Sequence, residues 1–127
     1  MLNALIIGHG DFAQGMLSTA ESIVGKQPFV KVLSNIGLSC KQLDEKINKI
    51  IKQNKKYKTL IFVDLPGGSC TISCFNVLKN NRGLNIICGV NLPMLLEFFI
   101  LRNKYSVREI IPVLIKKGKE NIYRLNG

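Results

Sequence analysis

Apolar residues in this 127-residue chain fall into short continuous runs that alternate with stretches of helical spacing. Leu2 to Ile7 is mostly apolar and runs into Gly8, His9 and Gly10, which reads as a buried strand feeding a loop. From Asp11 to Val24, residues Phe12, Met16, Leu17, Ala20, Ile23 and Val24 recur at helical intervals. Asp11 stands at the N-cap or first turn of this helix and Gly25 at its stop. Pro28 precedes a second strand, Phe29 to Leu33, and Ser39 is placed to cap a helix carrying Leu43, Ile47, Ile50 and Ile51. Lys58 to Asp64 reads as a third strand closed by an acid, followed by a Pro66-Gly67-Gly68-Ser69 turn and a helix from Ser69 to Leu78. Asn85 to Val90 is a fourth strand. Asn91, Leu92 and Pro93 then open a helix through about Leu101. Val107 to about Tyr123 is helical in pattern, disturbed by Pro112 and Gly118, and the pattern leaves a short extra strand there open.

Alternating strands and helices, with strands apolar on both faces, predict an α/β fold: a doubly wound, mainly parallel sheet of four strands with helices on both faces. The length suits a single domain spanning residues 1–127. In such sheets ligands bind at the carboxyl ends of the strands, near a topological switch point. His9, Asp64, Ser69 and Asn91 all fall at or just beyond strand ends.

Composition narrows the function classes. At 46% apolar residues the chain can build a packed core, and no repeat or Pro-rich linker divides it. Met1 to Ile7 lacks the features of a signal peptide, and Leu84 to Leu101 is interrupted by Asn85, Asn91, Pro93 and Glu97. A soluble cytoplasmic protein is expected. Cys40, Cys70, Cys74 and Cys88 contain no C-x-x-C pair, so they read as reduced, mostly buried apolar residues; Cys70 and Cys74, at i and i+4, are only a weak metal or redox pair. No metal is expected. The net charge of +10 raises nucleic acid as a partner, but the lysines between Lys46 and Lys58 accompany the core-facing Ile47, Ile50 and Ile51. Only Tyr57 interleaves with them, so no nucleic-acid partner is expected.

His9, the only histidine, lies between two glycines at a strand-to-helix turn. An imidazole there can act as nucleophile, base or ligand, and the amides of the following helix point towards the same region. A loop histidine satisfied by a backbone carbonyl is the plain alternative. Asp64 weighs against it, because a carboxylate ending a buried strand needs a partner. An imidazole N–H on a neighbouring strand end would serve, leaving the other ring nitrogen free to attack. Asp64 could instead cap the following turn. Gly67, Gly68 and Ser69 offer amides and a hydroxyl suited to an anion. No Walker lysine follows them and no G-x-S-x-G is present, which argues against nucleotide binding and serine hydrolysis.

Three stretches in order, LIIGHGDFAQGML (Leu5 to Leu17), IFVDLPGGS (Ile61 to Ser69) and GVNLPMLLE (Gly89 to Glu97), resemble the IIA domain of the mannose family of bacterial sugar phosphotransferase systems. The resemblance covers essentially the whole chain. It implies a homodimer and an antiparallel fifth edge strand near the C-terminus. It also implies that His9 accepts a phosphoryl group from the phosphohistidine carrier HPr and hands it to an EIIB component, which works with the membrane permease EIIC/EIID. By the same resemblance Asp64 orients His9, and Gly67, Gly68, Ser69 and Gly10 bind the phosphoryl group. Asn91 and Pro93 would lie near the site, and no cofactor is needed. Cys70 stands where many members have proline. With no linker after Gly127, the EIIB is expected on a separate chain. A regulatory module sensing phosphorylation of the same His9 is the alternative.

Overall fold

The computed structural model describes residues 1–53 and 56–127; of the basic run, Lys55 lies outside the described residues. Strand β1 (Asn3–Gly8) leads into helix α1 (Phe12–Val24), β2 (Val30–Ser34) into α2 (Cys40–Gln53), and β3 (Thr59–Val63) into α3 (Ser69–Asn80). Strand β4 (Asn85–Cys88) leads into α4 (Leu92–Leu101), with α5 (Val107–Glu120) after it. The strands are all parallel, in the order β2-β1-β3-β4. The chain winds from β1 out to β2, then returns past β1 to lay down β3 and β4. The topological switch point therefore falls between β1 and β3.

The two faces of the sheet carry separate cores. Ala4, Ile6, Leu60, Phe62 and Ile87 pack with apolar residues of α1, α4 and α5. Leu5, Ile7, Ile61 and Val63 pack on the other side with Leu43 and Ile47 of α2 and Cys70, Cys74 and Val77 of α3. Burial on both faces is why β1 and β3 are unbroken apolar runs instead of alternating ones. Ser39 caps α2 reciprocally with Gln42: its Oγ accepts from the Gln42 amide, and Gln42 Oε1 accepts from the Ser39 amide. Among the described residues, no helix is long and apolar enough to cross a membrane.

Some expectations need correction. The antiparallel fifth strand does not form among the described residues: α5 runs to Glu120, and residues 121–127 carry no strand. Pro112 and Gly118 do not break the last helix either. Ile110 and Leu114 on its inner face are completely buried, which outweighs the hydrogen bond that Pro112 removes. Gly118 is instead a close-packing point, where a Cβ would lie 2.8 Å from the mobile tip of Met94 and 3.3 Å from Asn91 Oδ1. Strand β4 stops at Cys88, not Val90, because Gly89 turns at φ 84° and both the Gly89 and Val90 amides donate to Val63 O. Asp11 holds the N-cap position of α1 but its side chain makes no cap bond.

The sequence pattern did not announce Arg102, which is 2% exposed at the end of α4. Its Nε and Nη2 donate to Leu2 O at 3.0 and 2.6 Å, and Nη2 also donates to Phe29 O at 3.2 Å. The guanidinium lies against the rings of Phe98 and Phe99. Phe29 has φ +55°, a strained value for an aromatic residue, and its carbonyl is held by Arg102 and by the Ala4 amide. Arg102 thus ties the end of α4 to the starts of β1 and β2. Replacing it with methionine keeps the bulk but strips Leu2 O of both its guanidinium donors and leaves Phe29 O with the Ala4 amide alone. Arg102→Met is expected to lower stability by about 2–4 kcal/mol in urea unfolding; a loss below about 0.5 kcal/mol would reduce the arginine to a space-filling role.

Candidate functional site

The register Ile7↔Val63 brings the ends of β1 and β3 side by side, so the loops that follow them leave the sheet together. His9 and Asp64, 55 positions apart, meet there: His9 Nδ1 lies 2.7 Å from Asp64 Oδ2. A carboxylate can only accept, so Nδ1 carries the hydrogen, and in the neutral imidazole Nε2 then keeps its lone pair. The same Oδ2 accepts from the His9 backbone amide at 2.9 Å, and Oδ1 accepts from the Leu65 amide at 2.9 Å. Burial works against the charge on Asp64, but these hydrogen bonds outweigh it and hold the carboxyl below its ordinary value. The Asp64 side chain is 7% exposed and the His9 side chain 39%, so the acid is shielded while the imidazole reaches solvent.

Nε2 faces the start of α3. Ser69 Oγ lies 3.3 Å from it. Gly68 is the N-cap of α3 and provides no side-chain cap, so the first-turn amides of that helix are left open beside the imidazole. A Cβ on Gly68 would sit 2.9 Å from His9 Cε1 and 3.3 Å from Nε2, so no larger residue fits there without moving the ring. Gly67 takes φ 83° in the same turn, a value that favours glycine. Thr71 Oγ1 donates to Leu65 O at 2.8 Å and closes the β3–α3 loop under the site.

The remaining expected residues are engaged elsewhere. The Gly10 amide donates to Asn35 Oδ1 at 3.2 Å, and Gly10 O accepts from Ser34 Oγ at 2.8 Å, so the end of β2 braces the His9 loop. Asn91 caps α4 by accepting from the Met94 amide and donates to Gly118 O of α5; Pro93 sits in the first turn of α4. Their hydrogen bonds join α4 to α5 and do not reach His9.

The sequence reading did not place three residues at the site. Asn35 and Ser34 lie at the end of β2, and the rule that strand ends converge could have flagged them. Cys70 Sγ lies 3.9 Å from His9 Nδ1, against the shielded side of the ring. Burial and, after it, the charge of Asp64 push its thiol up. All four cysteines are free. Cys70 and Cys74 are buried, but Cys40 and Cys88 are exposed, so the cysteines are not mostly buried.

The larger clefts lie away from this pair. One of about 430 Å³, lined by Tyr57, Lys58, Arg82 and Leu84 among others, opens where β3 and β4 begin, at the opposite end of the sheet. The site is a shelf, not a pocket.

A doubly wound α/β domain that presents one oriented imidazole at its switch point is the class that fold and site define. The chain belongs to the mannose/fructose-type IIA family of phosphotransferase-system (PTS) components: the family model described as "PTS system fructose IIA component" matches residues 3–114. It is 31% identical to the "PTS system mannose-specific EIIAB component" of Escherichia coli (strain K12), covering all of this chain but 41% of that protein. It is also 27% identical to the "PTS system fructose-specific EIIA component" of Bacillus subtilis (strain 168), over 87% of this chain and 77% of that one. The phosphotransferase component EIIA of Streptococcus agalactiae superposes with a TM-score of 0.89 at 25% identity, covering 98% of this chain and 97% of that one.

The position of Asp64 predicts an acid limb of stability. Its carboxyl is held below the ordinary value of ~3.9, so its contribution is full above that value and is lost as pH falls through the lower, folded-state value. Urea midpoints followed from about pH 6 to about pH 2 should fall more steeply for the wild type than for Asp64→Asn. Parallel curves would assign the acid sensitivity to other carboxylates.

Proposed function

We propose that the chain is a phosphoryl carrier of a sugar phosphotransferase system, accepting the group from HPr on His9 Nε2 and passing it to an EIIB component. The single observation that carries this reading is the 2.7 Å contact between His9 Nδ1 and Asp64 Oδ2, which leaves Nε2 exposed as the nucleophile beside the open amides of α3.

The geometry suits the chemistry. As the donor's P–N bond breaks, a bond forms between phosphorus and Nε2, and the imidazole becomes positive. Its proton stays on Nδ1, where Asp64 stabilises the charge. Ser69 Oγ and the first amides of α3 are placed to receive the phosphoryl oxygens. The reverse movement delivers the group to the next nucleophile. Positioning and electrostatics do most of the work in such a transfer, and the two residues already stand in place.

A shelf suits a protein donor better than a small substrate. Ile36 and Leu65, in the loops after β2 and β3, and Ile72 and Phe75, in the first two turns of α3, are exposed apolar residues. They supply a small docking face for HPr and, in turn, EIIB. Transfer onward through the permease EIIC/EIID follows from this reading. A homodimer is also inferred: Ile122, Tyr123 and Leu125 beyond α5 are exposed, and Ile122 lines a 280 Å³ cleft with Ile86, Ile111 and Ile115.

Intact-mass analysis after incubation with phosphoenolpyruvate, enzyme I and HPr tests the carrier reading. One acid-labile phosphoryl group is expected on the wild type and none on His9→Gln. Gly68→Ala, which displaces the ring, and Asp64→Asn, which removes its charged support, should each slow transfer by about 100-fold. Failure of a cognate HPr to phosphorylate folded wild type would overturn the proposal.

A further inference from the structure

We propose that His9 Nδ1, the Asp64 carboxylate and Cys70 Sγ form a binding site for a zinc-class divalent ion, and that filling it turns the phosphoryl acceptor off. The binding half stands on geometry alone; the switching half rests on His9 being the acceptor.

Single ligating atoms of the three side chains all lie within 4.8 Å of one another. Nδ1 and Oδ2 are 2.7 Å apart, and Sγ is 3.9 Å from Nδ1. Ligands held 2.0–2.3 Å from a tetrahedral zinc are roughly 3.3–3.8 Å from one another. The three donors therefore need shifts of about an ångström, opening the Nδ1–Oδ2 pair and drawing in the thiol. Imidazole, carboxylate and thiolate together favour zinc over magnesium or calcium, and three protein ligands leave the fourth position to water. The backbone amides of His9 and Leu65 already fix the carboxylate, as an outer shell does in a metal site. Cys70 and Asp64 oppose one another's negative charge; a dication between them converts that repulsion into two attractions.

The proton balance explains the switch. Binding releases the Cys70 thiol proton to solvent, and the imidazole proton moves from Nδ1 to Nε2 so that the Nδ1 lone pair can ligate. Nε2 then carries hydrogen and has no lone pair for phosphorus. The ion does not cover the nucleophile; it selects the wrong tautomer.

Cobalt(II) is the probe, added to the full chain carrying Cys40→Ser and Cys88→Ser so that the exposed thiols are gone. One ion per chain is expected, with a near-ultraviolet thiolate-to-cobalt band and release of one proton. Adding Cys70→Ser should abolish the band and weaken binding by at least about 100-fold, more than loss of an outer-shell partner costs. His9→Gln should weaken it comparably. A band that survives Cys70→Ser, or no band in the parent, overturns the site. Zinc is then added to the phosphorylation assay, and each variant's rate with zinc is divided by its own rate without it. A fall of at least about tenfold in the parent, absent in Cys70→Ser, supports the switch; equal ratios overturn it while the cobalt result still decides the site. If the parent takes no phosphoryl group even without zinc, the carrier reading fails separately.

Discussion

The hydrogen bond between His9 Nδ1 and Asp64 Oδ2 is the interaction on which the rest of this molecule turns. It lies at the switch point, where the loops leaving the paired strands β1 and β3 run to opposite faces of the sheet. Because one partner is a carboxylate, the bond decides more than position: it sets which nitrogen carries hydrogen and which faces solvent. Backbone bonds reinforce it from both sides. The Asp64 amide donates to Ile7 O, and the His9 amide donates to Asp64 Oδ2. The pair is therefore held by the sheet itself, and the two loops cannot drift apart without breaking the ladder next to them.

Close approach is the second constraint, and it accounts for glycines that turn chemistry alone would not. A Cβ on Gly8 would lie 2.8 Å from Phe12 Cδ1, so the turn into α1 depends on bare backbone at that point. Gly68 is bare because the imidazole occupies the space its side chain would take. Gly68 thus bounds the His9 ring on the helix side, while Gly8 makes room for Phe12 at the start of α1. On the carrier reading proposed above, an imidazole ordered during folding spares a cost that a mobile nucleophile would bear at each transfer.

How much of this was legible in the sequence depends on whether the feature is local. The strands were legible because burial on both faces leaves apolar runs, and His9, Asp64 and Ser69 were legible because they end such runs at turns. Arg102 was not, since its partners Leu2 and Phe29 are backbone carbonyls supplied from the far end of the chain and leave no side-chain pattern. Cys70 read as a weak metal or redox partner of Cys74; its contact with the His9 ring follows from the sheet order that sets β3 beside β1. Asn91 also follows a strand end, and its side chain caps α4 and bonds to Gly118 O of α5.

Much of the basic charge is carried by two helices, α2 and α5. Lys41, Lys46, Lys49 and Lys52 are exposed on α2 while Leu43 and Ile47 of the same helix are buried, and Lys116, Lys117 and Lys119 are exposed on α5. Ile36 and Leu65, after β2 and β3, and Ile72 and Phe75, in the first turns of α3, are exposed apolar residues. On the carrier reading proposed above, this distribution has a kinetic consequence. Charge placed away from a contact steers encounter and does little to hold the complex, whereas a small apolar contact sets the dissociation rate. A nitrogen that must meet a donor and then an acceptor on the same face gains nothing from tight binding to either. Fast arrival combined with weak retention is what this distribution of lysines and apolar residues favours.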